Sequence, residues 1–119
     1  MLLNLGFALC LLPLFSGVVT AQALRTSPSE LLGNAQRFDG QTVTISGTVT
    51  NVQEQLSRAG KPAYMFDLSD GTEAVRVVAS GKAPCRSGAA TVDGTFVKVT
   101  QQGQTAFYNQ ITATRVRCR

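Results

Sequence analysis

Apolar and polar residues alternate most regularly over residues 64–78. From Tyr64 to residue 69, large apolar residues occupy every second position, with Met65 the one apolar residue between them, and Val75 begins a second such run. Successive side chains of a β-strand point to opposite faces, so both runs predict strands with one buried face. Asp70 and Gly71 separate the runs, and glycine adopts a positive φ without steric cost. The pattern predicts a β-hairpin, which needs further strands because an isolated hairpin is only marginally stable.

Three other segments carry strand-like patterns, namely residues 42–52, 91–100 and 107–117. The first alternates apolar residues with threonines, whose β-branched side chains suit an exposed sheet surface. Gly47 interrupts its apolar face, and a glycine within a strand predicts a bulge or a strong bend. We expect the strand to bend at Gly47, so that one long strand forms part of two sides of a small barrel. A turn over residues 101–104 joins the last two strands into a second hairpin.

A short helix is predicted before the first strand, over residues 29–37. Ser27 or Ser29 supplies the N-cap, and Glu30 suits the positive end of the helix dipole. Residues 24–28 are interpreted as a linker.

Together these elements predict an all-β fold. It is a five-stranded barrel over residues 42–119, preceded by a linker and a capping helix over residues 24–41. Closure into a barrel removes the unpaired strand edges that a small sheet would otherwise expose. Residues 53–63 and 80–90 are predicted to be loops, and the second of them contains Cys85.

Residues 1–23 predict a secretory signal peptide. The segment is almost wholly apolar, is broken by proline and glycine, and ends in small residues, as in a leader that is cleaved. Cleavage after Ala23 is preferred to cleavage after Ala21, and Cys10 lacks the context of a lipoprotein site. The missing basic residue near the N-terminus leaves an uncleaved membrane anchor as the alternative. We therefore expect a periplasmic or secreted protein.

The chain has 119 residues, a formal net charge of +4 and no histidine. The missing histidine removes the commonest general base and the commonest metal ligand. All eleven lysines and arginines follow Leu24. This basic surplus suits an anionic partner, but it suits an ordinary solvated surface equally well.

Cys85 and Cys118 would be the only cysteines left after cleavage of the leader. An oxidising compartment favours a disulfide between them. Closing a loop of about 34 residues would contribute roughly 3–4 kcal/mol through the unfolded state. Two free thiols are the alternative, and a metal site built from two cysteines without histidine is disfavoured.

Three motifs carry a resemblance to a known fold family. They are TVTISGTVTNV at residues 42–52, YMFDLSDGTEAVRV at residues 64–77 and VDGTFVKV at residues 92–99. Over residues 43–116 the chain resembles OB-fold domains of the tRNA-anticodon-like group. The resemblance implies a five-stranded barrel and a binding activity, but no particular ligand, because OB barrels carry many functions. One departure is that a cysteine-bearing loop replaces the helix usual between the third and fourth strands.

Barrel topology also supports the disulfide. The loop between the third and fourth strands lies at the same end of such a barrel as the start of the fourth strand. The fifth strand is antiparallel to the fourth, so its C-terminal end returns there. Cys85 and Cys118 would then be neighbours.

The resemblance implies a ligand face on the second and third strands, flanked by the first-to-second and fourth-to-fifth loops. Aromatic rings interleaved with basic side chains suit single-stranded nucleic acid, through base stacking and phosphate contacts. The alternative is that Phe66 and one of the two tyrosines are core residues and that the charges are merely solvated. The candidate ligand-binding residues are Arg58, Lys61, Tyr64, Arg76 and Tyr108.

Composition argues against an enzyme. Asp67, Asp70 and Glu73 form an acidic cluster, but a turn explains Asp70 and a strand start explains Glu73. Without histidine, Ser-His and Cys-His catalysis are excluded, and no glycine motif that would cradle phosphate is present. We expect no catalytic residue, no cofactor and no metal, with cation binding at the acidic cluster as a minor alternative.

Two exported groups of OB-fold proteins are relevant to a secreted chain. The haem chaperone of cytochrome c maturation attaches haem through a histidine, which this chain lacks. The small periplasmic stress proteins with this fold are similar to the chain in size and export.

We therefore expect an exported, non-catalytic binding module for a ligand or an envelope protein. Single-stranded nucleic acid on the same face is the alternative, and docking of a sheet edge onto a larger envelope complex is a third hypothesis. A continuous basic stripe through Arg58, Lys61 and Arg76 would favour nucleic acid, whereas an exposed apolar patch would favour a protein partner.

Overall fold

The computed structural model describes residues 23–119, so the predicted leader lies outside the described residues except for Ala23. Strands dominate this part of the chain, and two short helices precede the long strands. The elements are β1 (Leu24–Thr26), α1 (Pro28–Gly33), α2 (Ala35–Phe38), β2 (Thr42–Leu56), β3 (Pro62–Ser69), β4 (Ala74–Ser80), β5 (Gly88–Gln102) and β6 (Thr105–Cys118).

The five long strands close into a ring. The sheet order is β1-β2-β3-β4-β6-β5, and an additional pairing of β2 with β5 completes the circuit. All pairs within the ring are antiparallel except β4 and β6, which run parallel. This connectivity confirms the all-β, OB-like barrel that the sequence predicts.

A sixth strand lies where the sequence was interpreted as a linker. β1 pairs in parallel with β2, with Leu24 opposite Val43. On the same side of β2, pairing with β3 starts only at Thr48, so β1 occupies a stretch of edge that β3 leaves open. The linker interpretation was wrong because no periodicity can be recognised in three residues that pair through their backbone.

The predicted single helix is two short ones, divided at Asn34. Ser27, the first of the two predicted caps, accepts a hydrogen bond at its side-chain oxygen from the Glu30 N–H at 3.1 Å. The helices bury Leu31 and Phe38, which are 0% and 6% exposed. Their role is to seal the barrel interior with two apolar side chains.

Gly47 is a point of close approach and not a bulge. Its pairing with Ala90 is regular, and a Cβ there would lie 2.5 Å from the Ser69 carbonyl oxygen. It lies next to Thr48, where β2 begins to pair with β3 as well as β5, as expected for a strand serving two sides. The β2–β3 register shifts instead between Thr50 and Gln53.

The central hairpin is confirmed, with a loop of four residues between Ser69 and Ala74 in place of a two-residue turn. Its inward faces carry much of the core. Phe66, Leu68, Val75 and Val77 are all at most 2% exposed, and Phe96 from β5 is fully buried. The alternation in the sequence therefore identified the buried face correctly.

The Cys85–Cys118 disulfide is present, with the two Cα atoms 6.2 Å apart. It ties the loop between β4 and β5 to the end of β6, as barrel topology predicts. Glu54 holds the same loop by accepting a hydrogen bond from the Ala83 N–H at 3.1 Å and pairing with Arg86. The loop that replaces the usual helix is thus fixed by one covalent and two polar links.

Gly94→Ala tests the closure of the barrel. A Cβ at this position would lie 2.4 Å from the Thr112 carbonyl oxygen, and neither backbone can shift without disturbing the strand pairing. We expect the free energy of unfolding to fall by roughly 1–3 kcal/mol in urea titration, the usual cost of overpacking. Gly33→Ala is the control because nothing lies within 4 Å of its added Cβ. Equal stabilities for the two variants would contradict this account of the closure.

Candidate ligand-binding groove

The five candidate residues are distributed between the core and the surface. Tyr64 is only 5% exposed, and its ring stacks on Phe66 with the ring centroids 6.1 Å apart. Tyr108, in contrast, is 66% exposed. Of the two tyrosines, Tyr64 therefore takes the core position that the alternative interpretation provided for, and Tyr108 is available to a ligand.

A groove crosses the outer face of β3 and β4. Its centre is lined by Met65 and Arg76, with Phe107 from β6. Gln55, Val78 and Gln110 complete the lining there. Two further cavities share lining residues with this centre. One contains Arg76 and Phe107, and the other contains Gln55 and Val78. We call the centre and these two ends the groove.

The first end of the groove is polar and aromatic. A cavity of about 450 Å³ is lined here by Asp67, Arg76, Phe107 and Tyr108, among others, a volume in the range of small-ligand sites. The Arg76 Nε lies 3.8 Å from an Asp67 carboxylate oxygen. A cationic group and an exposed aromatic ring are therefore adjacent at this end.

A bulge in β2 positions Asp67. Asn51 adopts a left-handed conformation, with φ of 55°, where the β2–β3 register shifts. Asparagine tolerates this conformation better than most residues. Its side-chain amide donates a hydrogen bond to Asp67 at 2.9 Å. Two groups therefore contact the Asp67 carboxylate, namely the Asn51 amide at one oxygen and the Arg76 guanidinium at the other.

The second end of the groove lies between two loops. Arg58, from the loop between β2 and β3, and Gly103, from the turn between β5 and β6, both line it. The Arg58 guanidinium would be 3.4 Å from a Cβ added at Gly103. The Arg58 side chain therefore reaches from one of the two loops that flank the ligand face of OB barrels to the other.

Lys61 does not line the groove. It lies at the base of the loop that carries Arg58, where the Ser57 N–H donates to its carbonyl oxygen at 2.7 Å. Its own N–H donates to the Ser57 hydroxyl at 3.2 Å. The structure therefore brings Arg58, Arg76 and Tyr108 to the groove and leaves Lys61 and Tyr64 outside it.

The basic side chains do not form a continuous stripe. Gln55 and Val78 lie between the two ends of the groove, and the charge of Arg76 is offset by Asp67. Leu56, which lines the second end of the groove, is 69% exposed, and Val99, which is opposite Tyr108 in the β5–β6 pairing, is 47% exposed. Mixed apolar and amide surface therefore predominates over positive charge.

Sequence reasoning missed Gln55 and Gln110. The polar composition of residues 53–63 predicts a loop at Gln55, but β2 continues to Leu56 and carries Gln55 onto the outer face. Gln110 lies opposite Arg76 in the parallel β4–β6 pairing, and it is only 6% exposed. Alternation within β6 alone could not find it, because the pairing partner of a parallel strand is set by the barrel.

The acidic cluster of the sequence is dispersed in the fold. Asp67 faces the groove, whereas Asp70 caps the loop between β3 and β4. The Asp70 carboxylate accepts backbone hydrogen bonds from Glu73 and Thr72, both at 2.9 Å, and from Ser29 at 3.0 Å. These N–H donors, Glu73 first, hold the pKa of the Asp70 carboxyl well below its usual range. A carboxylate so engaged is a structural cap and a poor proton donor or acceptor near neutral pH.

Residues 23–119 contain no group of three acidic, cysteine or histidine side chains arranged to hold a metal ion. Within the same residues, no helix is long and apolar enough to cross a membrane.

Comparison of the sequence with protein-family models and with curated proteins finds no match. Among solved structures, the chain is similar to a crystal structure described as an aspartyl-tRNA synthetase from Leishmania major Friedlin. The TM-score is 0.60, the sequence identity is 16%, and the match covers 89% of this chain and 22% of that chain. The chain thus corresponds to less than a quarter of the length of that protein.

A likeness at this identity shows the fold alone. It agrees with the OB-like barrel that the strand pairing shows.

Asp70→Asn tests the role of the capping carboxylate through pH. Because the folded-state pKa of Asp70 is depressed, its carboxylate stabilises the fold above the unfolded-state pKa of about 4. That contribution is lost progressively as the pH falls below this value. We expect Asp70→Asn to be less stable than the parent in urea at pH 6, and the difference to shrink between pH 4 and pH 2. Glu73→Gln controls for the loss of one negative charge in the same loop, and a difference independent of pH would exclude this role.

Proposed function

We propose that this protein is an exported, non-catalytic binding module whose ligand occupies the groove on β3 and β4. The observation that carries the proposal is the adjacency of Arg76 and the exposed Tyr108 at a cavity of about 450 Å³. A guanidinium beside an aromatic ring offers charge-assisted hydrogen bonds and a flat apolar contact to the same ligand. Arg58 provides a second cationic anchor at the far end of the groove.

The polar groups of the groove support binding in preference to catalysis. Asp67 is engaged by Asn51 and Arg76, so its carboxylate is committed to positioning the arginine. The remaining polar residues of the groove centre, Gln55 and Gln110, bear amides. Amides donate and accept hydrogen bonds but do not transfer protons near neutral pH.

Export is supported by two features of the chain. The apolar segment over residues 1–23 fits a cleaved leader, and the disulfide between Cys85 and Cys118 suits an oxidising compartment. Cleavage after Ala23 would leave every strand and helix of the barrel intact, because β1 begins at Leu24.

Site-specific photocrosslinking tests the binding module in its own envelope. We expect p-benzoylphenylalanine in place of Tyr108 to give a discrete adduct in the exported fraction, because the ring borders the cavity. The adduct should be lost when Arg76→Ala is added. Gln36, which is exposed on α2 and does not line the groove, is the control position. The same adduct from position 36, or no adduct from position 108, would contradict the proposal.

Single-stranded nucleic acid is the second candidate ligand. Phe107 and Tyr108 lie beside Arg76, and stacking of bases on aromatic rings together with phosphate contacts is how such strands are bound. The likeness to a tRNA synthetase structure agrees with this type of ligand at the level of the fold. The Asp67 carboxylate opposes it, because a second negative charge lies where the phosphate would approach Arg76.

Fluorescence anisotropy with labelled twelve-nucleotide dT and U strands tests the second candidate. Binding should be micromolar or tighter at low salt and should weaken steeply with added salt. Tyr108→Ala should weaken it roughly tenfold, within the range measured for loss of one stacking platform. Arg25→Ala, an exposed arginine in β1, is the control. If the protein does not bind either strand at low salt, nucleic acid is excluded as the ligand. The proposal of a binding module at the groove would then be tested by the crosslinking experiment alone.

A further inference from the structure

The parallel pairing of β4 with β6 is short and leaves a notch in the barrel wall. It extends only from Arg76 to Val78 on β4, and from Gln110 to Thr112 on β6. Beyond it the two strands diverge around a cavity of about 350 Å³. We call this cavity the notch, and its lining consists of Tyr64, Ala79, Ser80 and residues 113–116.

A β-bulge at Thr114 explains the divergence. The β5–β6 register shifts between Asp93, which is opposite Arg115, and Gly94, which is opposite Ala113. Thr114 is therefore the extra residue, and its hydroxyl donates a hydrogen bond to the Asp93 carbonyl oxygen at 3.2 Å. A bulge increases strand twist and ends regular pairing nearby. The end of β6 is thereby turned away from β4.

The notch exposes a strand edge. Ala113 and residues 115–118 of β6 pair with β5 on one side, with Thr114 bulged between them, and no strand of residues 23–119 pairs with this segment on the other side. Unpaired backbone N–H and C=O groups of such an edge can accept another extended chain. Residues 113–116, one of them bulged, span roughly 10 Å, which suits a short peptide segment.

The side chains around the notch favour an acidic chain. Arg115 lines it and has no ion-pair partner within residues 23–119, whereas Arg117 is paired with Asp93 at 3.1 Å. Arg119 adds a third positive charge within five residues. A carboxylate on an incoming strand would therefore meet the Arg115 guanidinium, which has no ion-pair partner among the described residues.

Two hydroxyl groups add hydrogen-bonding capacity. Ser80 is exposed at the end of β4, and Tyr64 lines the notch from the core. Burial raises the pKa of the Tyr64 phenol, which keeps its hydroxyl protonated. Tyr64, a residue of the predicted ligand face, thus lines the notch and not the groove.

We propose that the free edge of β6 in the notch binds an extended, acidic segment of a partner polypeptide as an additional strand. Backbone hydrogen bonds along residues 113–116 would hold the segment, and Arg115 would pair with one of its carboxylates. The notch shares no lining residue with the groove. The two sites can therefore be altered separately, and this proposal does not depend on the function of the groove.

The probe is a fluorescein-labelled peptide of three Val-Glu repeats, added to the purified protein expressed as the full chain. We expect saturable binding by anisotropy and at least tenfold weaker binding of the matched Val-Lys peptide. Arg115→Glu should weaken binding of the Val-Glu peptide at least tenfold. Arg25→Glu, which makes the same charge change on β1, should leave it within twofold. Equal effects of the two variants would overturn the proposal, because they would show attraction to net charge alone.

Strand addition is separated from simple charge attraction by a second peptide. N-methylation of alternate amides on one edge of the Val-Glu peptide keeps its charge but removes the donors that face β6. We expect at least tenfold weaker binding of this peptide, and unchanged binding would overturn the proposal. Tyr64→Phe removes only the hydroxyl and keeps the stacked ring, so it tests the notch without opening the core. Tyr64→Phe should weaken binding of the Val-Glu peptide severalfold and leave crosslinking at position 108 unchanged. Unchanged peptide binding together with reduced crosslinking would instead place the peptide in the groove.

Discussion

The double pairing of β2 is the constraint on which the rest of the structure depends. This strand pairs with β5 from Thr42 to Val49 and with β3 from Thr48 to Leu56, and so it joins the two ends of the sheet. The barrel can close only if neighbouring backbones approach closely, and glycine is the residue that permits this. Gly47 and Gly94 lie at these approaches, and at each of them a carbonyl oxygen is within 2.5 Å of the position that a Cβ would take.

Closure of the barrel also determines where the two candidate sites lie. A closed sheet must bend, and it bends most where an extra residue interrupts the pairing. The bulge at Asn51 brings an amide to Asp67 and thereby positions Arg76 in the groove. The bulge at Thr114 turns β6 away from β4 and opens the notch. Both candidate sites are thus consequences of irregular pairing in an otherwise regular barrel.

Local ion pairs limit what the net charge of +4 can do. Arg76, Arg86 and Arg117 each face a carboxylate, and such exposed pairs are worth no more than about 1 kcal/mol. Their effect is mainly to divide the positive surplus into separate patches. Binding at the groove or the notch would therefore depend on the local geometry around Arg58, Arg76 or Arg115 more than on long-range electrostatic attraction.

Local patterns in the sequence predict the strands of the ring, the buried face of the central hairpin and the pairing of Cys85 with Cys118. Side-chain alternation is a local property, and the two cysteines that follow the predicted leader allow one pairing. Which residues share a surface depends on the tertiary structure. Tyr64 faces the core and the notch, and Lys61 lies outside the groove, whereas Gln55 and Gln110 line it. The three-residue strand β1 and the bulges at Asn51 and Thr114 also form only through tertiary contacts. Register, closure and the edges left unpaired depend on contacts between distant segments, which no local pattern in the chain encodes.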